Sequence, residues 1–180
     1  MDTIDTFCTE RLTAVRLLPE DFGDLCRMHQ DPKVMATLSG VRSDEETRRF
    51  LQISLEHWDG RGFGLWMFRE TATGQFVGRA GLREVHVGGN DEVELAYGLM
   101  SEFWGQGLAT EIARACLKIA FEQLDMTHVV TFTLTTNRAS QRVMEKAGFT
   151  YEREIVHAGL PHVLYRITGK AAVTGACSRG

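Results

Sequence analysis

Two glycines one residue apart, Gly105 and Gly107, stand before a helix-forming run in Ser101-Glu102-Phe103-Trp104-Gly105-Gln106-Gly107-Leu108-Ala109-Thr110. Glycine lets the backbone curl closely around a ligand, and the unpaired amides of a first helical turn point outward with the positive end of the helix dipole. Such a turn is a seat for phosphate; taken alone it is equally a plain helix start. Two other phosphate patterns fit poorly. A dinucleotide fingerprint wants a third glycine where Thr110 stands, and the Gly-Lys-Ser/Thr of a P-loop is absent. A second cluster, Asn137-Arg138-Ala139-Ser140 followed by Glu145-Lys146-Ala147-Gly148-Phe149, opens another helix. Asn137 there reads as an N-cap, as a ligand contact, or as both.

The elements that must position these residues follow from periodicity and punctuation. Residues 12–17 form a first strand, and Pro19-Glu20-Asp21 opens an acid-led helix that stops at Asp31-Pro32. Ser43 and Glu46 have capping-box spacing, with Phe50, Ile53, Leu55 and Trp58 as the apolar stripe of a second helix ending at Gly60 and Gly62. Strand-like runs at 63–70, 75–86 and 92–99 make an antiparallel meander, the last with Val93, Leu95 and Tyr97 on one side and Glu92, Glu94 and Ala96 on the other. A helix at 109–124, with Ile112, Ala115, Cys116, Ile119 and Ala120 on one face, then leads to a strand at His128–Leu134, a strand–helix–strand crossover. A helix at 139–147 and strands at 150–156 and Leu160–Thr168 close the chain. The architecture is a mixed α/β sheet flanked by helices.

Bulk properties bound the partners. A chain of 180 residues, 43% hydrophobic and 24% charged, suits one domain, placed at 9–168 with a small, polar and flexible tail at 169–180. A net charge of -4 is a poor footprint for nucleic acid, and no stretch approaches the roughly 20 apolar residues of a membrane span. Cys8, Cys26, Cys116 and Cys177 lack the spacing of a metal site or disulfide framework, so a cytoplasmic protein with reduced thiols and no metal is expected. Trp58, Phe63 and Trp66 read as core rather than pocket.

Trp104-Gly-Gln-Gly-Leu-Ala-Thr-Glu111, Asn137-x-x-Ser140 and Glu145-Lys-Ala-Gly-Phe149 together resemble the GNAT superfamily of N-acetyltransferases. More narrowly they are similar to its RimJ/RimL-type branch, acting on ribosomal-protein N-termini, as are Thr9-Glu10-Arg11-Leu12 and Asp31-Pro32-x-Val34-Met35. The resemblance implies a central, mostly antiparallel sheet of about six to seven strands split in a V, about four helices, and acetyl-CoA in the split. It implies further that the segment Gly105, Gln106, Gly107, Leu108, Ala109 and Thr110 holds the pyrophosphate through backbone amides. Leu99 would offer backbone groups to the pantetheine and acetyl carbonyl, where a preorganised amide facing the developing oxyanion is worth roughly 3–4 kcal/mol. Asn137 would contact the pantetheine or position a water, and Ser140 would lie near the thiol.

Many superfamily members place a proton-donating tyrosine seven residues after the Asn, but this chain has Met144 there. Ser140 is then the substitute donor, or a first-turn helix serine only. The attacking amine must be neutral, which asks for a general base. Glu94, on the strand bordering the thioester, is the candidate, with Glu92 second and Glu84 and His86 behind. The acceptor would be a protein N-terminal α-amine or a small-molecule amine, with His157, Gly159 and His162 along its rim. The alternative is a GNAT-like acyl-CoA-binding module without catalysis, and an exposed edge strand leaves room for a homodimer.

Overall fold

The computed structural model describes residues 4–169; Cys177 and the tail beyond Gly169 lie outside the described residues. Strands β1 (Thr6–Cys8) and β2 (Leu12–Arg16) are followed by a 3₁₀ turn at Pro19–Asp21 and helices α1 (Phe22–His29), α2 (Pro32–Met35) and α3 (Asp44–Arg61). The meander β3 (Leu65–Glu70), β4 (Phe76–Val87) and β5 (Asn90–Leu99) comes next. The second half is α4 (Leu108–Glu122), β6 (His128–Leu134), α5 (Arg138–Ala147), β7 (Thr150–His157) and β8 (Leu160–Thr168). These eight strands form one sheet in the order β1-β2-β3-β4-β5-β6-β8-β7, and β5–β6 is its parallel pair.

Local chemistry accounts for the boundaries. Ser43 Oγ accepts from the Glu46 amide at 3.2 Å while Glu46 Oε2 accepts from the Ser43 amide at 2.7 Å, so α3 starts on a complete capping box. It ends on Gly62 at φ 73°, a left-handed conformation that glycine adopts without strain. The turn expected across 87–91 tightens to Gly88–Gly89, both at positive φ, as a two-residue hairpin requires. Pro32 ends α1 as expected and also begins α2, because the Asp31 side chain accepts from the amides of Lys33 and Val34.

Two expectations need correction. Ile53 is 59% exposed and does not belong to the buried stripe of α3; counting back from Trp58 in helical steps gives Leu51 and Thr47, which are buried. The sheet also has one more strand than the upper expectation, since β1, too short to show alternation, pairs onto β2.

One feature of the sheet shapes the site. β5 and β6 pair only at Glu94↔Val130 and then diverge. Past that point the Leu95 carbonyl accepts from the Thr131 hydroxyl at 3.0 Å, a side chain filling the place of a strand amide. The Met100 amide bonds to Val77 O, so by antiparallel alternation the backbone groups of Leu95, Tyr97 and Leu99 face away from β4, into the split. Helix α4 packs on β4 and β5, and α5 packs on α4 and β6. The opposite face of β4 and β5 meets α1 and α3, where Arg79 lies over the Phe50 ring.

Candidate functional site

A cavity of about 570 Å³ runs through the split, a volume suited to a cofactor-sized ligand. At one end are Gly105, Gly107, Leu108, Ala109 and Thr110. Gly105 and Gly107 have φ of 73° and 78°, and Gly107 is the N-cap of α4 with no side chain closing it. The first-turn amides lack partners within the helix and open on the cavity. A Cβ at Gly105 would meet nothing within 4 Å, so the cradle is clear. Lys33, Arg142 and Lys146 line the same cavity and add cationic character to a seat already favouring anions. This donor set fits the phosphates of coenzyme A. Gln106 is the exception among the expected contacts: it does not line the cavity, and its carbonyl accepts from Arg11 Nη1 at 2.8 Å. The two left-handed glycines flanking it turn it outward.

The seat is braced from the start of the chain. Thr9 Oγ1 and the Arg11 amide both donate to Glu111 Oε1, at 2.6 and 2.8 Å, and Arg11 Nε pairs with Glu111 Oε2 at 2.8 Å. Burial works against the Glu111 charge, but these hydrogen bonds outweigh it and hold the carboxyl below its usual range. Trp104 ties the other side by donating its indole N–H to the Leu99 carbonyl at 2.9 Å. Leu99 thus lines the cavity with its carbonyl engaged.

Midway along the split, two hydroxyls meet. Tyr97 Oη on β5 lies 2.7 Å from Ser140 Oγ on α5 and 3.2 Å from the Ser140 carbonyl. Asn137 is the N-cap of α5, its Oδ1 accepting from the Ser140 amide at 3.2 Å and its amide nitrogen donating to Thr133 Oγ1 at 2.9 Å. Burial raises the Tyr97 phenol to about 12, with Glu94 adding to the shift and the Ser140 hydrogen bond opposing it. Met144 is buried and lines the same wall. Sequence reading placed Tyr97 on its correct strand face but gave it no role; which partner it meets depends on α5.

The far end is charged. Glu94 is buried and pairs through Oε2 with Arg83 Nε at 2.8 Å, its cross-strand partner. Arg42 and Arg79 line the cavity beside it. His157 and His162 are also there, their rings 5.5 Å apart and both against Phe132. The other carboxylates are occupied elsewhere. Glu92 is held by Arg166 at 2.7 Å and His128 at 2.8 Å, Glu84 pairs with Arg61 at 2.8 Å, and His86 pairs with Asp91 at 2.7 Å. None of Glu92, Glu84, His86 and Gly159 lines the cavity. Arg79 had a visible signal that sequence reading passed over: a charge inside the apolar run Phe76-Val77-Gly78-Arg79-Ala80-Gly81-Leu82.

Comparison with known proteins identifies the domain. Residues 11–150 match the family model described as an acetyltransferase (GNAT) domain. An uncharacterized protein of Bacillus subtilis, YkkB, is 30% identical over 138 residues, 77% of this chain and 80% of that protein. The FsC-acetyl coenzyme A-N(2)-transacetylase of Aspergillus fumigatus is 33% identical over 158 residues, 81% of this chain and 65% of that protein. An acetyltransferase crystal structure from Agrobacterium tumefaciens superposes with a TM-score of 0.79 at 27% identity, covering 90% of this chain and 93% of that one. With its split sheet, open helix start and matched domain, the chain belongs to the GNAT family of acetyltransferases, enzymes that take their acetyl group from acetyl-CoA.

Proposed function

We propose that acetyl-CoA enters the split from the α4–α5 face, and that an amine enters from the α1–α3 face to attack the thioester directly. One observation carries the reading: a single cavity joins the uncapped start of α4 to Glu94 through the gap between β5 and β6. Acetyl-CoA supplies an activated acetyl group. The first-turn amides of Leu108, Ala109 and Thr110 hold its pyrophosphate, and the backbone of Leu99 and Tyr97, turned away from β4, lies along the pantetheine arm.

Glu94 takes the proton of the incoming ammonium. Its Oε2 is occupied by Arg83, and Oε1 makes no hydrogen bond among the described residues, which leaves that oxygen for the amine. An α-amine, with an ordinary pKa of about 7.7–8.0, asks little of such a base, whereas a lysine side chain near 10.4 asks for roughly 4 kcal/mol more. The acceptor is accordingly a small-molecule amine or a protein N-terminal α-amine. At the other end Ser140 relays a proton to the leaving thiolate, giving its hydroxyl hydrogen to the sulfur and regaining one from the attacking nitrogen, which sheds its second proton as it becomes the amide. In this reading Tyr97, its phenol kept protonated by burial, is the donor in the 2.7 Å contact with Ser140 Oγ, which frees the serine's own hydrogen. The pair does the work usually assigned to the tyrosine that Met144 replaces, and this argues against a module without catalysis.

A cytoplasmic location is part of this proposal; Cys8, Cys26 and Cys116 are free, and no described helix is long and apolar enough to cross a membrane. The same reading leaves the sheet edges β1 and β7 for a homodimer. Thiol release with an amine panel tests the chemistry. Glu94→Gln should lower kcat/KM at neutral pH by roughly 10²-fold and recover as pH rises and the amine loses its proton unaided. A ratio to wild type that stays flat across pH removes Glu94 from the role of base.

A further inference from the structure

The far end of the cavity holds more positive charge than its own carboxylate can balance. Arg42, Arg79 and Arg83 all line it, against Glu94 as the single acidic side chain of the whole lining. Glu94 is committed to Arg83. Arg79 is 5% exposed, its Nε has no hydrogen-bond partner, and its guanidinium forms no ion pair among the described residues. Arg42 forms none either. The two guanidinium groups rest on the same ring, Phe50, at 4.5 and 5.0 Å from its centroid.

Holding two unpaired arginines together in the wall of a cavity is costly, because desolvation and like-charge repulsion act in the same direction. Both groups are shifted downward accordingly, Arg79 to about 9, with burial as the leading cause and neighbouring arginines as the next. His29 sits behind them, fully buried and 3.1 Å from Thr47 Oγ1, and is kept neutral by burial and by the same two arginines. An arrangement that the fold does not neutralise is complete only with an anion. The planar donor fork of arginine suits a carboxylate or a phosphate group.

We propose that the acceptor of this acetyltransferase is an amine bearing an anionic group, carboxylate or phosphate, which binds at Arg42 and Arg79 while its ammonium faces Glu94. The inference rests on the reading above that the acceptor enters from the α1–α3 face. It makes polycations such as polyamines poor acceptors, since the site repels added positive charge. The anion also sets orientation: docking it on the arginines beside Phe50 presents the amine to the one carboxylate in the cavity.

Matched pairs test this. Thiol release from acetyl-CoA is followed with 4-aminobutyrate and its amide, phosphoethanolamine and ethanolamine, a dipeptide and its C-terminal amide, and spermidine. In at least one pair the anionic member should have a kcat/KM about tenfold or more above its neutral partner, and Arg42→Gln should bring that ratio toward one. Equal or better turnover of the neutral member in every pair, or preference for spermidine, overturns the proposal. Separately, calorimetry with succinate and with inorganic phosphate on the CoA-saturated protein reads the anion site without turnover. Binding that Arg42→Gln and Arg79→Lys weaken supports the site, and no binding to the wild type overturns it. Failure to bind CoA, or to release thiol with any amine, counts instead against the acetyltransferase mechanism.

Discussion

The two ends of the cavity are built from different materials. The cofactor end is made of backbone: positive-φ glycines, the open amides of α4, and strand groups turned into the split. The acceptor end is made of side chains, with Arg42 before α3, Arg79 and Arg83 on β4, Glu94 on β5, and His157 and His162 on β7 and β8. A backbone site costs the fold little, because its unsatisfied groups are ones every helix start has. A site of buried charge is held against desolvation, so binding there and stability are coupled.

Three measurements sharpen or break that contrast. The largest effect belongs to Gly107→Trp, which should fill the seat and weaken acetyl-CoA binding by on the order of 10³-fold by calorimetry. Its stability cost should stay near the roughly 1–3 kcal/mol of a non-glycine at positive φ, because a Cβ there meets only Arg11 Nη2 at 3.6 Å. Unchanged affinity would remove the loop from the binding site. Next, Ser140→Ala should lower kcat by roughly 10²-fold with little change in acetyl-CoA affinity. Tyr97→Phe should lower it less, and the double variant should match Ser140→Ala alone if the hydroxyls act as a unit. Additive losses would separate them.

The smallest effect, taken per pH unit, lies at the acceptor end. Burial, with help from Arg79 and Arg42, lowers the His29 imidazole from 6.5 to about 3, so the folded protein keeps it neutral while the unfolded chain protonates it below about pH 6.5. Its contribution to stability is therefore complete above that pH and is lost as pH falls toward 3, at no more than about 1.4 kcal/mol per pH unit. Burial lowers His57 and His157 in the same direction. Denaturant titrations across this range should show His29→Gln flattening the slope. An unaltered slope would mean that the arginine-backed histidine is not what couples acid to unfolding.

The same division explains what the amino-acid order reveals. Gly105-x-Gly107 before a helix, Asn137 at a strand end and the Ser43–Glu46 cap are short-range signals whose geometry is local, and the elements around them lie close to where periodicity puts them. Leu160–Thr168 and His128–Leu134 match to the residue. The Tyr97–Ser140 pair spans 43 positions and depends on how α5 packs across the split, which no pattern along the chain encodes. Arg42, Arg79 and Glu94 converge only when α1 and α3 cover β4 and β5. Glu94 was legible through strand alternation, but the arginine that holds it was not.

The brace from Thr9 and Arg11 to Glu111 has a consequence for the order in which the molecule becomes competent. It joins residues 100 or more positions apart, and closing so long a loop carries a large entropy cost that later contacts must repay. The phosphate seat is therefore completed by one of the most distant contacts among the described residues. Ligand capture thus reports on closure of the chain from β2 to α4. Through mass action, each bound cofactor in turn favours the molecules whose first strands have docked.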